Sequence, residues 1–117
     1  MSGGAFEYNQ YQIRMIWEEI QQELDKQGQE KEVNNVWEKE YYEKYPEAKF
    51  EEIYREDVQQ IFKDGIEALK KAEIYAQRID WYLSGDDGED SLVSRLKSDL
   101  DKLLQELIKH YEEKIFR

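Results

Sequence analysis

Apolar residues in this chain recur three or four positions apart, the spacing of helices, and nowhere alternate with period two for long enough to make a strand. Ile13, Ile16, Ile20 and Leu24 form one stripe with Trp17 beside it, which predicts a first helix over about 8–26. Gln27-Gly28 then offers a residue suited to a left-handed helix stop. Val33, Val36, Trp37 and Tyr41 fit a short extra helix over about 33–44, with Asn34-Asn35 as a loop or fraying start. The only proline, Pro46, ends it and is well placed at the first position of the helix that follows.

The longest helix is expected over about 50–83. Its apolar positions are Ile53, Tyr54, Val58, Ile61, Phe62, Ile66, Leu69, Ala72, Ala76, Ile79 and Leu83, with a possible break between Tyr54 and Asp57. Gly65 interrupts this pattern at a cost of about 1 kcal/mol relative to Ala, which hints at close helix packing. A stop at Ser84-Gly85 and a short connection precede a last helix over about 88–115. Leu92, Leu96, Leu100, Leu103, Leu104, Leu107, Ile108, Tyr111 and Ile115 line its expected inner face. The short connection makes the two long helices a hairpin, and the first helix can cover it. The expected fold is all-α: an antiparallel three-helix bundle with one extra short helix, in a single domain over 1–117.

Composition narrows the function more than it defines it. No cysteine is present, which excludes disulfides, thiolate nucleophiles and Cys-based zinc sites, and a lone His110 leaves no histidine cluster. His110 itself reads as a residue whose charged form suits a helix C-terminus. No P-loop, dinucleotide fingerprint, nucleophile elbow or metalloprotease motif occurs, so the expectation is a non-enzyme with no catalytic residue and no cofactor. Nothing in the first 16 residues reads as a signal peptide, and no apolar run is long enough to span a bilayer. A cytoplasmic setting is expected.

The net charge of −11 would repel phosphate backbones and anionic lipid, so neither nucleic acid nor membrane is an expected partner. Residues 1–59 hold 15 acids against 7 bases, and residues 60–117 hold 13 against 10. The acidic half could meet a basic protein surface, or serve solubility alone.

Three local features could carry function. The stretch Ser84-Gly85-Asp86-Asp87-Gly88-Glu89-Asp90-Ser91 holds four acids and no base. Asp86, Asp87, Glu89 and Asp90 could bind a cation weakly, but EF-hand spacing fails. The structural alternative makes Gly85 the helix stop and Asp87 the N-cap of the last helix, with Glu89 and Asp90 in its first turn. Arg78 and Arg95 flank this loop, near Asp80 and Gly88, and could bond its acids or the free carbonyls of the preceding helix. Third, Trp37, Tyr41, Tyr42, Tyr45 and Phe50 cluster around Pro46. They either close one end of the bundle or form a partner-binding patch, and burial separates the two.

The start Met-Ser-Gly-Gly-Ala-Phe-Glu-Tyr and the stretch from Ala72 through Leu96, containing Gln77-Arg78-Ile79-Asp80-Trp81-Tyr82-Leu83-Ser84-Gly85-Asp86-Asp87-Gly88-Glu89-Asp90-Ser91, resemble a family of small uncharacterised bacterial and bacteriophage proteins. The resemblance covers about a third of the chain and excludes residues 27–55. It implies a bacterial or phage cytoplasm and no particular activity. Four functions remain in view. The first is a protein–protein interaction module working through its acidic or aromatic surface. The others are an acidic nucleic-acid mimic that blocks a DNA-binding protein, a weak cation-binding module, and a structural homo-oligomer, such as a homodimer, in which a leftover apolar stripe packs on a second copy.

Overall fold

A computed structural model describes residues 4–115, without the side chains of Tyr111, Glu113, Lys114 and Ile115. The opening Met1-Ser2-Gly3 and the inner-face positions Tyr111 and Ile115 therefore lie outside the described residues and side chains. The described chain is all-α. Its elements are α1 (Gln10–Asp25), α2 (Val36–Lys44), a 3-10 helix (Pro46–Lys49), α3 (Glu56–Leu83) and α4 (Glu89–Ile115). Among the described residues no helix is long and apolar enough to cross a membrane.

Two compact units form, the second nested in sequence within the first. The first is Met1–Trp17 with Glu67–Arg117; the second is Glu18–Ile66.

In the first unit, polar side chains join α1 to α3. Gln10 Nε2 donates to Gln77 Oε1 at 3.2 Å and to Asp80 Oδ2 at 3.0 Å. Arg14 and Trp17 both donate to Glu73, each at 2.8 Å, and the Lys70 ammonium stands 4.7 Å from the Trp17 ring centre. These partners run in opposite order along the two helices. Arg78 of α3 grips Asp99 of α4 through both Nε and Nη2, at 2.6 and 3.2 Å.

The second unit is tied by a loop rather than by long helices. Glu30 and Phe50 form an isolated antiparallel bridge, supported by Lys31 N–H to Lys49 O and Glu51 N–H to Gln29 O, each at 2.8 Å. The left-handed Gly28 (φ 71°) donates to Glu51 O at 3.1 Å. The last carbonyls of α1 are met by side chains: Gln27 donates to Leu24 O and Gln29 to Asp25 O. Tyr54 donates its hydroxyl to Glu23 at 2.9 Å and stacks at a tilt on Phe62. The Lys26 ammonium and then the Tyr54 hydroxyl, both bonded to Glu23, hold that carboxyl below its usual range, and the same carboxylate pushes the Tyr54 phenol up.

Several expected inner positions are solvent-facing instead. α3 begins at Glu56, not at 50, because Phe50 is used in the backbone bridge and Tyr54 N–H is bonded by the Gln27 side chain. Pro46 opens the short 3-10 turn rather than the long helix. Ile16, Ile53, Ile61, Ala72, Ile79, Leu83, Leu104 and Ile108 are exposed. Ile66 and Leu103 are buried, and at 3.6 residues per turn Ile79 lies about 140° round from Ile66, and Ile108 about 140° round from Leu103. The apolar residues of α3 and α4 thus span a broad arc on each helix, with exposed residues at one edge of it.

Gly65 does not mark close packing. A Cβ built there would meet no atom within 4 Å. Gly65→Ala is therefore expected to stabilise the protein by about 1 kcal/mol through backbone entropy, read as a higher urea midpoint with an unchanged slope. A lower midpoint would show that the open space at Gly65 is needed.

Candidate functional site

The most exposed apolar surface of the second unit is α2. Asn35 caps the helix, its side chain accepting from Glu38 N–H at 2.7 Å, while Glu38 Oε2 returns to accept from Asn34 N–H at 2.8 Å. This closes the helix start that Asn34-Asn35 suggests. No residue of α2 is buried. Trp37, Tyr41 and Tyr45 follow one another at intervals of four, with exposures of 71%, 43% and 49%. Their rings form a ladder: Trp37 stacks on Tyr41 with centres 5.7 Å apart, and Tyr41 tilts against Tyr45 at 5.1 Å. Tyr42, half-buried, meets Tyr41 edge-on at 5.8 Å.

Within the second unit Trp37, Tyr41, Tyr45 and Phe50 keep much of their surface exposed, and Tyr42 is half-buried. The ladder also has a charge character. Glu38, Glu40, Glu43 and Glu47 lie beside it in sequence, and the Lys44 ammonium sits 5.6 Å from the Tyr45 ring centre. That contact shows the ring face accepting a cation, as aromatic quadrupoles do.

The acidic loop is organised by arginine. Gly85 (φ 83°) ends α3 in a left-handed conformation: its N–H bonds Tyr82 O at 3.1 Å, and Asp86 N–H bonds Trp81 O at 2.8 Å. This paired arrangement satisfies two of the helix's last carbonyls. Asp87 is not the N-cap of α4. Gly88 holds that position, since its carbonyl accepts the first helical bond from Leu92 at 2.9 Å. Asp87 instead turns its carboxylate inward, where Arg95 bonds Oδ1 and Arg78 Nη1 stands 3.8 Å from Oδ2. Arg78 also lies over the Trp81 ring at 4.8 Å. The bond to Asp99 holds the Arg78 guanidinium above its usual value. Asp86, Glu89 and Asp90 remain exposed, so the four loop acids are not drawn into one ligand set. Among the described residues no group of three His, Asp or Glu side chains could hold a metal ion. His110 is exposed on α4.

A further cluster joins residues 4–10 to the end of α3. Asp80, 3% exposed, accepts Ala5 N–H at 2.6 Å and Phe6 N–H at 3.3 Å on Oδ1, and Gln10 Nε2 on Oδ2. Ser84 completes it, accepting a second bond from Ala5 N–H at 3.0 Å. Gly4, at φ 58°, lies so close that an added Cβ would stand 2.7 Å from Asp80 Oδ1. Glu7 and Tyr8 also take left-handed backbone, at φ 51° and 65°. Residues 4–9 are thus a chain of turns latched onto the end of α3. An open depression of about 550 Å³ beside the latch is lined by Ala5, Phe6, Ile13 and Ala76 among others. Gln10 was absent from the sequence-based candidates; a glutamine at a helix start gives no signal of burial.

No protein-family profile, curated protein or solved structure matches the chain.

Proposed function

We propose that this chain is a non-enzymatic protein–protein interaction module of a bacterial or phage cytoplasm, docking a basic protein surface on the aromatic ladder of α2. The observation that carries the reading is the exposure of Trp37, Tyr41 and Tyr45 along one helical row. Tryptophan and tyrosine lose little conformational entropy on binding and supply most of the energy of many interfaces. Neighbouring glutamates and the Lys44–Tyr45 contact favour a partner bearing arginine or lysine. The reading includes an antiparallel three-helix bundle for the first unit, supported by the opposite order of the α1–α3 partners and the Arg78–Asp99 grip across the hairpin.

The test is affinity capture from host lysate with the wild-type chain and with a Trp37→Ala/Tyr41→Ala variant, at low and high salt. A partner with a basic surface should be retained by the wild type at low salt, released by high salt and lost from the variant. Retention that ignores the double substitution removes α2 as the docking face. A DNA-binding protein retained in that case would point to nucleic-acid mimicry instead.

A further inference from the structure

The residues that precede the rings of the α2 ladder form a second row beside it. Val36, Glu40 and Lys44 stand directly before Trp37, Tyr41 and Tyr45, so both rows repeat every four residues, about 6 Å along the helix. At the last position the chain supplies its own cation, for the Lys44 ammonium lies 5.6 Å from the Tyr45 ring centre. One turn earlier the same place is held by Glu40. It is exposed, and among the described residues its carboxylate has no hydrogen-bond or ion-pair partner. Glu38, by contrast, is committed to Asn34 N–H at 2.8 Å. The ladder therefore has one ring with a cation already against it, and one ring with an unpaired carboxylate in the cation's place.

That pairing selects what fits. A group that meets Tyr41 and Glu40 together must offer positive charge to a carboxylate and a flat face to a ring. A guanidinium does both, because its fork of N–H groups lies in its plane while its face stays free to stack. An ammonium is a compact, strongly hydrated point charge with no flat face. An arginine also has an aliphatic stem that packs on apolar surface, and Val36 and Trp37, 72% and 71% exposed, offer it one turn away.

The wider field has the matching sign. Residues 18–66, the second unit, hold 15 acids against 7 bases, whereas the rest of the chain holds 13 against 10. Three of the unit's bases are paired internally, Lys26 with Glu23, Lys49 with Glu30 and Arg55 with Asp57. The acid excess attracts a basic segment over roughly 10 Å, the screening length at moderate salt.

We infer that α2 takes an arginine side chain of its protein partner, with the guanidinium stacked at Tyr41 and forked onto Glu40, and its stem on Val36 and Trp37. This rests on α2 being the docking face and names the side chain that docks there. The test is fluorescence anisotropy with the full chain and a labelled peptide alternating arginine and glycine, against a lysine–glycine peptide of equal length and charge. The arginine peptide should bind about fivefold more tightly, and Glu40→Gln should shrink that preference. Trp37→Ala/Tyr41→Ala keeps the net charge and should weaken arginine binding about tenfold, with helical circular dichroism intact because no α2 residue is buried. Lys44→Gln removes the positive charge one turn away and should tighten binding by about two- to fivefold. Lys39→Gln makes the same change of charge on the opposite side of α2 and should tighten it less. Equal effects of the two lysine substitutions, or binding indifferent to the loss of the rings, would reduce the attraction to net charge and overturn the inference. Arginine and lysine peptides bound alike overturn it too. If lysate capture still needs Trp37 and Tyr41 in that case, the docking reading stands without it.

Discussion

Replacing Asp80 with alanine should lower stability by about 3 kcal/mol and release the N-terminal turns. The carboxylate is the acceptor for Ala5 N–H, Phe6 N–H and Gln10 Nε2, at a site only 3% exposed. Bonds to a charged acceptor contribute about 1.5–3 kcal/mol each, and a buried donor left unpaired costs about 1–3 kcal/mol. Water reaching the loosened turn offsets part of the sum. A loss of about 3 kcal/mol should lower the melting temperature by roughly 10 °C in a chain of this size.

Hydrogen exchange at Ala5 and Phe6 gives the local reading, because both amides should lose protection even where α4 keeps its own. Asp80→Asn should cost less than Asp80→Ala. Its carbonyl can serve the two backbone donors, and Gln10 can turn its amide to offer Oε1, which has no partner in the native arrangement. Gly4→Ala should reproduce the release from the other side, since its Cβ would press on both carboxylate oxygens and φ 58° disfavours any side chain. Unchanged melting of Asp80→Ala with retained amide protection would show that the latch contributes nothing to the fold.

Arg78→Ala should cost about 2–3 kcal/mol, the second-largest effect. The guanidinium makes a forked bond to Asp99, approaches Asp87 and covers Trp81, with its side chain 16% exposed. Removing one member of a partly buried pair strands the other, and here Asp87, at 4% side-chain exposure, would keep only Arg95. Lysine at this position retains the charge but not the fork, so Arg78→Lys should recover about half of the loss. In Arg78→Ala/Asp99→Ala the stranded Asp99 is gone, and the double variant should be more stable than the sum of the single losses. Denaturant midpoints of the four proteins measure that coupling. Strict additivity would mean that the pair makes no net contribution.

The helices were legible because their signals are local. Three- and four-residue apolar spacing, an asparagine pair read as a loop or fraying start, a single proline and two glycines at helix ends mark α1, α2, α3 and α4 to within a few residues, apart from the start of α3. That start depended on Phe50 pairing with Glu30, a contact between residues twenty apart that no periodicity announces. Gly85 was readable as a helix stop for the same local reason. Asp87 was misread as a cap because capping preference is a property of residue type, whereas Arg95 and Arg78 arrive from two different helices.

Sequence by itself determined the all-α character, most of the helix ends, the acidic charge and the absence of cysteine. Tertiary structure decided which face of each helix is covered. Apolar spacing specifies that a stripe exists, but on α3 and α4 the stripe is broad, and which part of it is covered depends on neighbours distant in sequence. The same reason separates the aromatic ladder of α2 from a core cluster and puts Gln10 and Asp80 in the interior. A polar side chain is buried only where its partners converge, and for Asp80 those partners are backbone amides some 75 residues away.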